Sequence, residues 1–254
     1  MNDISIAIVA YNDEPDVRIA VESIESHTSE RIKKHIYIID NSDMENHLKE
    51  FTEGFSDVSY LSTGKNLGFG GGHNYVLKRL DSRFHAIVNP DIILNMDALG
   101  ALMEFMLEEN VGMSVPRILD EKGNLLEVYR QEPTVLDLFL RMFAKKCAKK
   151  RQAYHTMQDM DYEKSFPVPF AQGSFLVVRT ELFRQLGGFD ERYFLYMEDA
   201  DLCRRINEVS ELRYCPKAAV IHKWGKGSHK KFKLFCIHVK SMIAYFGKWG
   251  WKLI

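Results

Sequence analysis

The chain has 254 residues, a formal net charge of −1 and 46% hydrophobic residues, which is typical of a globular protein with a sizeable core. The near-zero charge provides no global attraction to nucleic acid, so we expect no nucleic-acid partner. Four cysteines, at positions 147, 203, 215 and 236, form no CxxC pair, which favours reduced thiols over disulfides or a zinc site. The sequence predicts no signal peptide and no run of the ~20 apolar residues that would span a bilayer.

The first half of the chain alternates apolar runs with helical patterns. Strands are predicted at residues 4–10, 35–40, 58–61, 84–89 and 111–116, and helices at 17–26, 44–55, 74–80 and 97–108. This alternation predicts an α/β fold with a Rossmann-like, mostly parallel central sheet flanked by helices. Such sheets bind ligands at the carboxyl ends of their strands. Tyr11, Asn12, Asp40 and Asp91 all fall at predicted strand ends.

A glycine-rich stretch, residues 64–74, precedes the fourth predicted strand. A dinucleotide-binding fold would place its glycines directly after the first strand, and a Walker A motif would add a lysine that is absent here. The stretch is either a flexible turn or a loop whose backbone approaches a ligand at the start of the helix predicted at 74–80. We favour the approach to a ligand.

The second half has a less regular pattern. We predict a hairpin at 118–130, a helix at 134–146 that runs into basic residues, a mobile polar loop at 151–165, a strand at 168–179, a short helix at 182–186 and a last strand at 212–221. No linker or repeat divides the chain, which favours one continuous domain over residues 1–228. Residues 1–116 would form its nucleotide half and residues 117–228 its acceptor half.

Three carboxylates, Glu198, Asp199 and Asp201, fall within four positions at the start of a helix with one apolar face. One of them could simply cap the helix. One cap needs only one carboxylate, however, and three beside the aromatic run at 194–196 indicate a site. A carboxylate held there could act as a general base.

Asp91, at a strand end, is a suitable ligand for Mg²⁺ or Mn²⁺, which take oxygen donors and share them with substrate phosphates. It could equally be a turn or capping acid after Pro90. His222 is ambiguous, because a lone histidine is more often structural, although Mn²⁺ also accepts imidazole. Only proximity to Asp91 would make His222 a ligand.

The C-terminal segment, residues 229–254, combines an apolar helical stripe with a cluster of lysines. No Asp or Glu follows Glu211. The stripe contains Phe232, Phe235, Val239, Met242, Ile243 and Phe246. Either this helix packs on the core, or it is a basic amphipathic helix that lies on an anionic membrane surface.

These motifs, taken in order, resemble the inverting family 2 glycosyltransferases of the GT-A fold, in their rhamnosyltransferase-like branch. The resemblance covers residues 4–228 and rests on the following segments: 6–12 (IAIVAYN), 39–41 (IDN), 66–74 (NLGFGGGHN), 89–91 (NPD), 187–191 (GGFDE), 194–202 (FLYMEDADL) and 220–222 (VIH). Each motif alone is weak, but the ordered set is specific. Many members carry Asp-x-Asp where this chain has Asn89-Pro90-Asp91, so one metal carboxylate is replaced by an amide.

The resemblance implies a nucleotide-sugar donor and transfer to a hydroxyl with inversion. The residues that would bind the donor nucleotide and sugar are Ala10, Tyr11, Asn12, Glu14, Asp40, Asn66, Gly68 and Asn89. Among these, Asp40 would hydrogen-bond the pyrimidine base. Asp91 would hold Mg²⁺ or Mn²⁺ on the diphosphate, with His222 as a second ligand. Asp199 would be the general base, with Glu198 beside it.

The resemblance favours dTDP-L-rhamnose as donor and a lipid-linked saccharide of a bacterial cell-surface polysaccharide as acceptor. UDP-galactofuranose, UDP-glucose and UDP-galactose stay open as donors. The implied location is cytoplasmic and peripheral, at the inner face of the cell membrane. Two other classes are a nucleotidyl- or methyltransferase, which the position of the glycines disfavours, and a non-catalytic nucleotide-binding module that docks on membranes.

Overall fold

The computed structural model of the chain describes residues 1–143, 148–223 and 231–254, without the side chains of residues 142, 143 and 231. The strands are β1 (Asn2–Ala10), β2 (Lys34–Asp40), β3 (Val58–Ser62), β4 (Ser82–Val88), β5 (Ile92–Ile93), β6 (Met113–Leu119), β7 (Tyr129–Arg130), β8 (Phe166–Pro167), β9 (Phe170–Ala171), β10 (Phe175–Arg179) and β11 (Leu212–His222). The helices are α1 (Glu14–His27), α2 (Leu48–Thr52), α3 (Gly68–Asn74), α4 (Ala98–Glu108), α5 (Val135–Phe143), α6 (Lys149–His155), α7 (Thr180–Gln185), α8 (Glu198–Val209) and α9 (Lys231–Trp249). Residue 147, the end of the helix predicted at 134–146 and the predicted domain boundary at 228 lie outside the described residues.

A mixed sheet of nine strands forms the centre of the molecule, in the order β3-β2-β1-β4-β10-β6-β11-β5, with β8 also paired to β11. The four strands from β3 to β4 are parallel. Strand β10 runs antiparallel between β4 and β6, while β6 and β11 are again parallel. The predicted α/β fold with a mostly parallel sheet is therefore confirmed. The antiparallel strands are β10 in the interior of the sheet and the two-residue strands β5 and β8, which pair with β11.

The parallel strands are apolar along their length because helices cover both faces of the sheet. In β1, residues Ile4, Ile6 and Ile8 are fully buried on one face, and Ala7 is fully buried on the other. Between β1 and β4, the buried Ser5 hydroxyl lies 2.8 Å from Nδ1 of His85. The core of the protein thus lies on both sides of β1, and the polar strand ends form one edge.

Two predicted elements of the first half differ from the observed ones. Helix α2 covers only Leu48–Thr52, because residues 42–46 form a loop held by side-chain hydrogen bonds such as Asn46 Nδ2 to Asp40 Oδ2 at 2.9 Å. The glycine-rich stretch is not a loop before a helix at 74–80. It is itself helix α3, in which Gly70 and Gly72 allow close packing against Phe189 and Val9.

The second half is also more structured than predicted. The polar loop predicted at 151–165 contains helix α6, which the Arg151–Asp137 ion pair (2.6 Å) ties to α5. The predicted strand at 168–179 is divided into β9 and β10, because the N–H groups of Gln172 and Gly173 bond elsewhere, to Val128 and Asp199. The turn of the predicted hairpin forms around Asp120, but β7 then pairs with β9.

Helix α9 packs on the core through its C-terminal half, where Ser241, Tyr245 and Phe246 are buried. Its N-terminal half is different, since Phe232 is 80% exposed and Phe235 is 39% exposed. Among the described residues, no helix combines the length and the apolar character that crossing a membrane would require.

Candidate active site

The carboxyl ends of β1 and β2 meet at one edge of the sheet, where Ala10 is in register with Asp40. The chain turns sharply after β1 because Asn12 adopts a left-handed conformation with φ of 60°. The Asn12 N–H donates to the Ser42 hydroxyl at 3.0 Å, and the Tyr11 hydroxyl donates to Asp43 at 3.1 Å. Two predicted donor-binding loops are thereby joined into one surface.

Asp40 is buried, with 6% of its surface exposed, and accepts three hydrogen bonds. The donors are the Ser42 N–H, the Asn46 amide and the Tyr60 hydroxyl, at 2.7–2.9 Å. Although burial alone would raise its pKa, these hydrogen bonds outweigh burial and lower the pKa of Asp40. Asp40 is therefore an ionised acceptor with most of its hydrogen-bonding capacity already used.

Glu14 is occupied in a similar way on the outer side of this edge. Its carboxylate accepts from Arg18 at 2.6 Å and from the His47 N–H at 2.9 Å, which anchors the start of α1 to the loop before α2. These bonds, the His47 N–H first, lower the pKa of Glu14. The side chain of Glu14 thus holds the shape of the edge.

A cleft of about 280 Å³ lies between the strand edge and helix α9. Three predicted donor-binding residues, Tyr11, Asn66 and Gly68, line one side of it. The other side is formed by Phe194 and by α9, including Lys233. Lys233 and the ring of Phe194 therefore lie across the cleft from residues that the sequence motifs predict to bind the nucleotide-sugar donor.

Gly68 is the point at which α3 and the 194–196 run touch. Its φ is +76°, and a Cβ added there would lie 2.0 Å from the Phe194 carbonyl oxygen, so only glycine fits. The Gly68 N–H donates to Asn66 Oδ1 at 2.8 Å and the Phe69 N–H donates to the Phe194 carbonyl at 3.2 Å. Two N–H groups at the start of α3 are thus already used, which weakens the predicted role of this helix end in phosphate binding.

Asp91 and His222, 131 residues apart in sequence, meet where β4 and β11 end. His222 Nε2 lies 3.1 Å from Asp91 Oδ2. Asn89 is fixed beside them, since its N–H donates to the Ser174 carbonyl at 2.9 Å. Among the described residues, no cluster of three or more His, Cys, Asp or Glu side chains is placed to hold a metal. His222 thus lies close to Asp91, which was the condition for considering it as a second metal ligand.

Asp13 is a neighbour of this pair that the sequence analysis did not select. Burial, together with repulsion from Asp16 and Asp91, raises the pKa of Asp13 to about 6, against the opposing hydrogen bond from the Tyr11 N–H. A carboxyl that resists ionisation beside other carboxylates indicates local negative charge that a cation would neutralise. The sequence signal that could have identified Asp13 as a site residue was its position just after the end of the first strand, next to Asn12.

The acids of the 194–205 stretch begin helix α8. Tyr196 and Met197 both have positive φ angles, of 69° and 71°, so the chain turns abruptly into the helix. Asp199 is partly buried, and its Oδ2 accepts from the Gly173 N–H at 3.1 Å. Glu198 is buried, with 4% of its surface exposed, and its Oε2 has no hydrogen-bond partner among the residues that the structure describes.

The environments of the two neighbouring carboxyls differ. Burial and the charge of Asp199 raise the pKa of Glu198 well above its usual value. Burial also raises the pKa of Asp199, but there the N–H groups of Gly173 and Ala200 and two nearby arginines oppose it. The two arginines thus favour the ionised form of Asp199, whereas the charge of Asp199 disfavours the ionised form of Glu198.

Asp201 has a structural role. It is fully buried and bonds to Arg205 at 2.7 Å, to Lys248 at 2.6 Å and to the Trp249 indole at 2.8 Å. This network joins the start of α8 to the end of α9. The family resemblance implied that Asp201 binds the acceptor or orients the base, with a simple helix-start role as the alternative. Its partners from α9 could not be foreseen from its position in the sequence.

The two arginines near Asp199 are Arg130, on β7, and Arg141, on α5. Both come from segments that the sequence analysis treated as a hairpin and an amphipathic helix, with no signal of a site. They give the surroundings of Asp199 a positive character.

Comparison with known proteins agrees with this geometry. The chain is 28% identical over 257 residues to the rhamnosyltransferase WbbL of Escherichia coli K12, covering 96% of this chain and 92% of that protein. It is 27% identical over 231 residues to the N-acetylglucosaminyl-diphospho-decaprenol L-rhamnosyltransferase of Mycobacterium tuberculosis, covering 85% and 75% of the two chains. Among solved structures, GalNAc-T7 with UDP, GalNAc and Mn²⁺ has a TM-score of 0.70 at 15% identity and covers 97% of this chain. This chain spans about half of that one, 48%.

The fold is therefore that of the GT-A glycosyltransferases. The model of glycosyl transferase family 2 matches residues 5–187, and the chain belongs to this family. It is a glycosyltransferase whose relatives include rhamnosyltransferases.

Proposed function

We propose that the protein transfers a sugar, with inversion, from a nucleoside diphosphate donor to a hydroxyl of a lipid-linked saccharide. L-Rhamnose from dTDP-L-rhamnose is the sugar that the rhamnosyltransferase relatives favour. The observation that carries the proposal is the position of Asp199 at the start of α8, where its Oδ2 accepts from the Gly173 N–H at 3.1 Å beside the buried Glu198. A carboxylate that is held by a backbone N–H and shielded from solvent is suited to accept a proton as a general base.

In this proposal the donor nucleotide lies along the edge formed by β1 and β2. Ala10, Tyr11, Asn12 and Asn66 would line its pocket, and Asp40 would accept from the base through its remaining lone pair. Gly68 would let the backbone approach the sugar, and Asn89 would lie near the diphosphate. Glu14 would act indirectly, by holding the loop that it anchors. Residues 1–116 would thus supply the donor half and residues 117–228 the acceptor half.

The donor set of Asp91 and His222 fits Mg²⁺ or Mn²⁺. Carboxylate oxygen suits both ions, imidazole suits Mn²⁺, and the acidic neighbours Asp13 and Asp16 favour a cation. With two protein ligands, donor phosphate oxygens and water would complete the coordination. Such an ion would neutralise the negative charge that develops on the leaving diphosphate.

Asp199 would carry out the proton transfer. Its carboxylate accepts the proton of the acceptor hydroxyl as that oxygen forms a bond to the anomeric carbon. The bond from the anomeric carbon to the donor phosphate breaks on the opposite face, and the nucleoside diphosphate leaves with the electron pair. One displacement inverts the anomeric configuration, and no covalent sugar–enzyme intermediate is formed. Glu198 would stay protonated beside Asp199, so that only one of the two carboxylates is ionised.

A panel of donors tests the assignment. The wild-type protein is incubated with dTDP-L-rhamnose, UDP-glucose, UDP-galactose or UDP-galactofuranose and a lipid diphosphate-linked N-acetylglucosamine, and nucleoside diphosphate release is measured. We expect release above the acceptor-free rate with dTDP-L-rhamnose. Preferential use of a UDP-hexose would overturn dTDP-L-rhamnose as the donor but would leave the proposed mechanism in place. No release of nucleoside diphosphate with any donor would refute the proposed enzymatic activity.

We also propose that the protein works at the inner face of the cell membrane. The N-terminal half of α9 supports this location, because it combines exposed Phe232 and Phe235 with lysines such as Lys233 and Lys240, and carries no acid. Aromatic side chains and lysines on one short amphipathic segment are the features that attract a helix to an anionic lipid surface. The same surface would present the lipid-linked acceptor.

A further inference from the structure

Arg130 is a buried cation with unused hydrogen-bond donors. Only 7% of its surface is exposed, and neither Nε nor Nη1 has a hydrogen-bond partner among the described residues. Among the described residues, the guanidinium of Arg130 makes one hydrogen bond, a long contact of 3.5 Å from Nη2 to the Glu127 carbonyl oxygen. A buried guanidinium without partners is costly, and native proteins retain such a group where it serves a ligand or a charge nearby.

The position of Arg130 indicates which ligand that is. Strand β7 pairs with β9, and the chain after β9 leads to Gly173, whose N–H holds Asp199. Arg130 therefore lies on the ribbon that positions the general base. Arg141 of α5 is close to both groups, since its charge lowers the pKa of Arg130 and that of Asp199 raises the pKa of Arg141.

Arg130 and Arg141 are the cations near Asp199. Burial and repulsion from Arg141 lower the pKa of Arg130 only to about 10, so the guanidinium stays charged at neutral pH. His238 adds no charge, because burial and the two arginines lower its pKa to about 4. Two guanidinium groups therefore lie near Asp199, and the Glu127 carboxylate lies near one of them, Arg130.

We propose that Arg130 and Arg141 form a subsite for the phosphate groups of an acceptor whose saccharide is linked to its lipid through a diphosphate. The inference rests on the proposed function, because that function places an acceptor hydroxyl at Asp199. In such an acceptor a single sugar separates the reacting hydroxyl from the first phosphate, so the phosphate must lie close to the base. Arginine pairs bind phosphate oxygens through several parallel N–H groups.

The two arginines have different parts in this subsite. Arg141 is partly exposed and makes the first contact with the phosphate, while Arg130 lies deeper and supplies its unused donors. Tyr196, whose ring lies 4.7 Å from that of His238, joins the base segment to α9 beside them. From this subsite, the lipid chain would continue towards the exposed aromatic side chains at the start of α9.

The test compares two acceptors that differ only in charge. Farnesyl diphosphate-linked N-acetylglucosamine and octyl β-N-acetylglucosaminide are assayed with the wild-type protein, Arg141→Gln and Arg130→Lys. We expect Arg141→Gln to raise the KM for the diphosphate acceptor on the order of 10- to 100-fold, as loss of a charged hydrogen-bonded contact does, with little change for the neutral glycoside. Arg130→Lys keeps the charge and should retain part of the preference.

Arg31→Gln is the matched control, because Arg31 is exposed before β2, at the opposite end of the sheet from the strand ends that form the site. Circular dichroism and the donor KM report whether each variant is folded. An equal preference for the diphosphate acceptor in the wild-type protein and in Arg141→Gln would overturn the subsite.

Direct binding separates this inference from the proposed function. Farnesyl diphosphate alone is titrated into the wild-type protein and Arg141→Gln by calorimetry, with no donor present. Weaker binding to Arg141→Gln supports the subsite even if no sugar is transferred in any assay, an outcome that would refute only the proposed function. Equal binding to both proteins would overturn the subsite whatever the result of the transfer assay.

Discussion

At the scale of single residues, two adjacent carboxyls at the start of α8 have different surroundings. Glu198 is buried without a partner for Oε2 among the described residues, whereas Asp199 receives backbone N–H groups and lies near two arginines. Burial raises the pKa of both groups, but the two arginines oppose this increase only at Asp199. This difference supports the proposal that Asp199 is the base.

Asp199→Asn removes the proton acceptor while keeping the side chain's size. We expect the rate of sugar transfer to fall by about 10²- to 10⁴-fold, which is the usual contribution of a general base. Calorimetry should show nearly unchanged binding of the nucleoside diphosphate. Asp159→Asn, an exposed acid with the same substitution, serves as the control. Near-normal turnover in Asp199→Asn would exclude Asp199 as the base.

Glu198 should make the stability of the protein depend on pH. Its pKa is raised in the folded state, so the stability that it contributes is complete below its unfolded pKa of about 4.3 and is lost as the pH rises through the folded value. Glu198→Gln does not titrate. We therefore expect the free energy of unfolding of Glu198→Gln, relative to the wild-type protein, to increase between about pH 4 and about pH 8.

Urea denaturation of both proteins at several pH values measures this difference. The sign is the critical result, because a carboxylate stabilised in its ionised form would give the opposite slope. A flat or falling difference would show that Glu198 is ionised in the folded protein.

At the scale of elements, the end of α9 is fixed to the start of α8 by a buried ion network. Asp201 is fully buried between Arg205 and Lys248, and Asp190 also pairs with Lys248 at 2.9 Å. The network explains why α9 packs through its C-terminal half. It also places the opposite half of α9 across the cleft.

Asp201→Asn leaves two cations without their shared carboxylate. We expect a loss of about 3 kcal/mol in the free energy of unfolding, since breaking a buried ion pair leaves uncompensated charge. Glu108→Gln is the control, because Glu108 pairs with Lys217 at the surface and such pairs contribute little. A change in Asp201→Asn no larger than in this control would mean that the network does not hold α9.

The N-terminal half of α9 is the element proposed to contact lipid. The double variant Phe232→Ser/Phe235→Ser removes exposed aromatic rings without touching the buried half of the helix. We expect weaker flotation with vesicles of anionic lipid and unchanged thermal unfolding. Ile19→Ser, a partly exposed apolar residue on α1, is the comparison variant. Undiminished flotation of the double variant would refute the membrane role of this segment.

At the scale of the whole molecule, the sheet order brings distant strand ends into one site. Asp91 follows β4 and His222 ends β11, yet their side chains lie 3.1 Å apart. Strand β5 pairs with β11 directly after Asp91, so the topology itself creates the contact. Helix α9 then closes the cleft from outside the sheet.

Metal dependence tests this assembly. We expect the nucleoside diphosphate to bind the wild-type protein more tightly with Mn²⁺ than with EDTA, and Asp91→Asn to abolish the difference, because the carboxylate is the principal hard ligand. His222→Gln should reduce it less. Calorimetry in the two buffers provides the measurement, with Asp159→Asn as control. Full metal dependence in Asp91→Asn would remove Asp91 from the proposed site.

The sequence by itself determined the central sheet and the residues at its edge. Apolar runs of strand length and period-3.6 helices are local patterns, so β1, β2, α1 and α4 were predicted within a few residues. Strand ends of a parallel sheet share one edge, so Asp40 and Asp91 could be grouped without coordinates. The helix predicted at 44–55 is shortened by hydrogen bonds such as that from the His47 N–H to Glu14, and the glycines of α3 pack closely on Phe189 and Val9. Neither effect could be predicted, because these partners are distant in sequence.

Only the tertiary structure decided the electrostatics of the site. Burial of Glu198, the N–H of Gly173 on Asp199 and the approach of Arg130 and Arg141 all come from segments far apart in the chain. Protonation depends on the sum of desolvation, hydrogen bonds and nearby charges, none of which a local pattern records. The sequence therefore placed the acids at the head of α8, whereas the fold buried Glu198, set Asp199 near two arginines and gave Asp201 its role in anchoring α9.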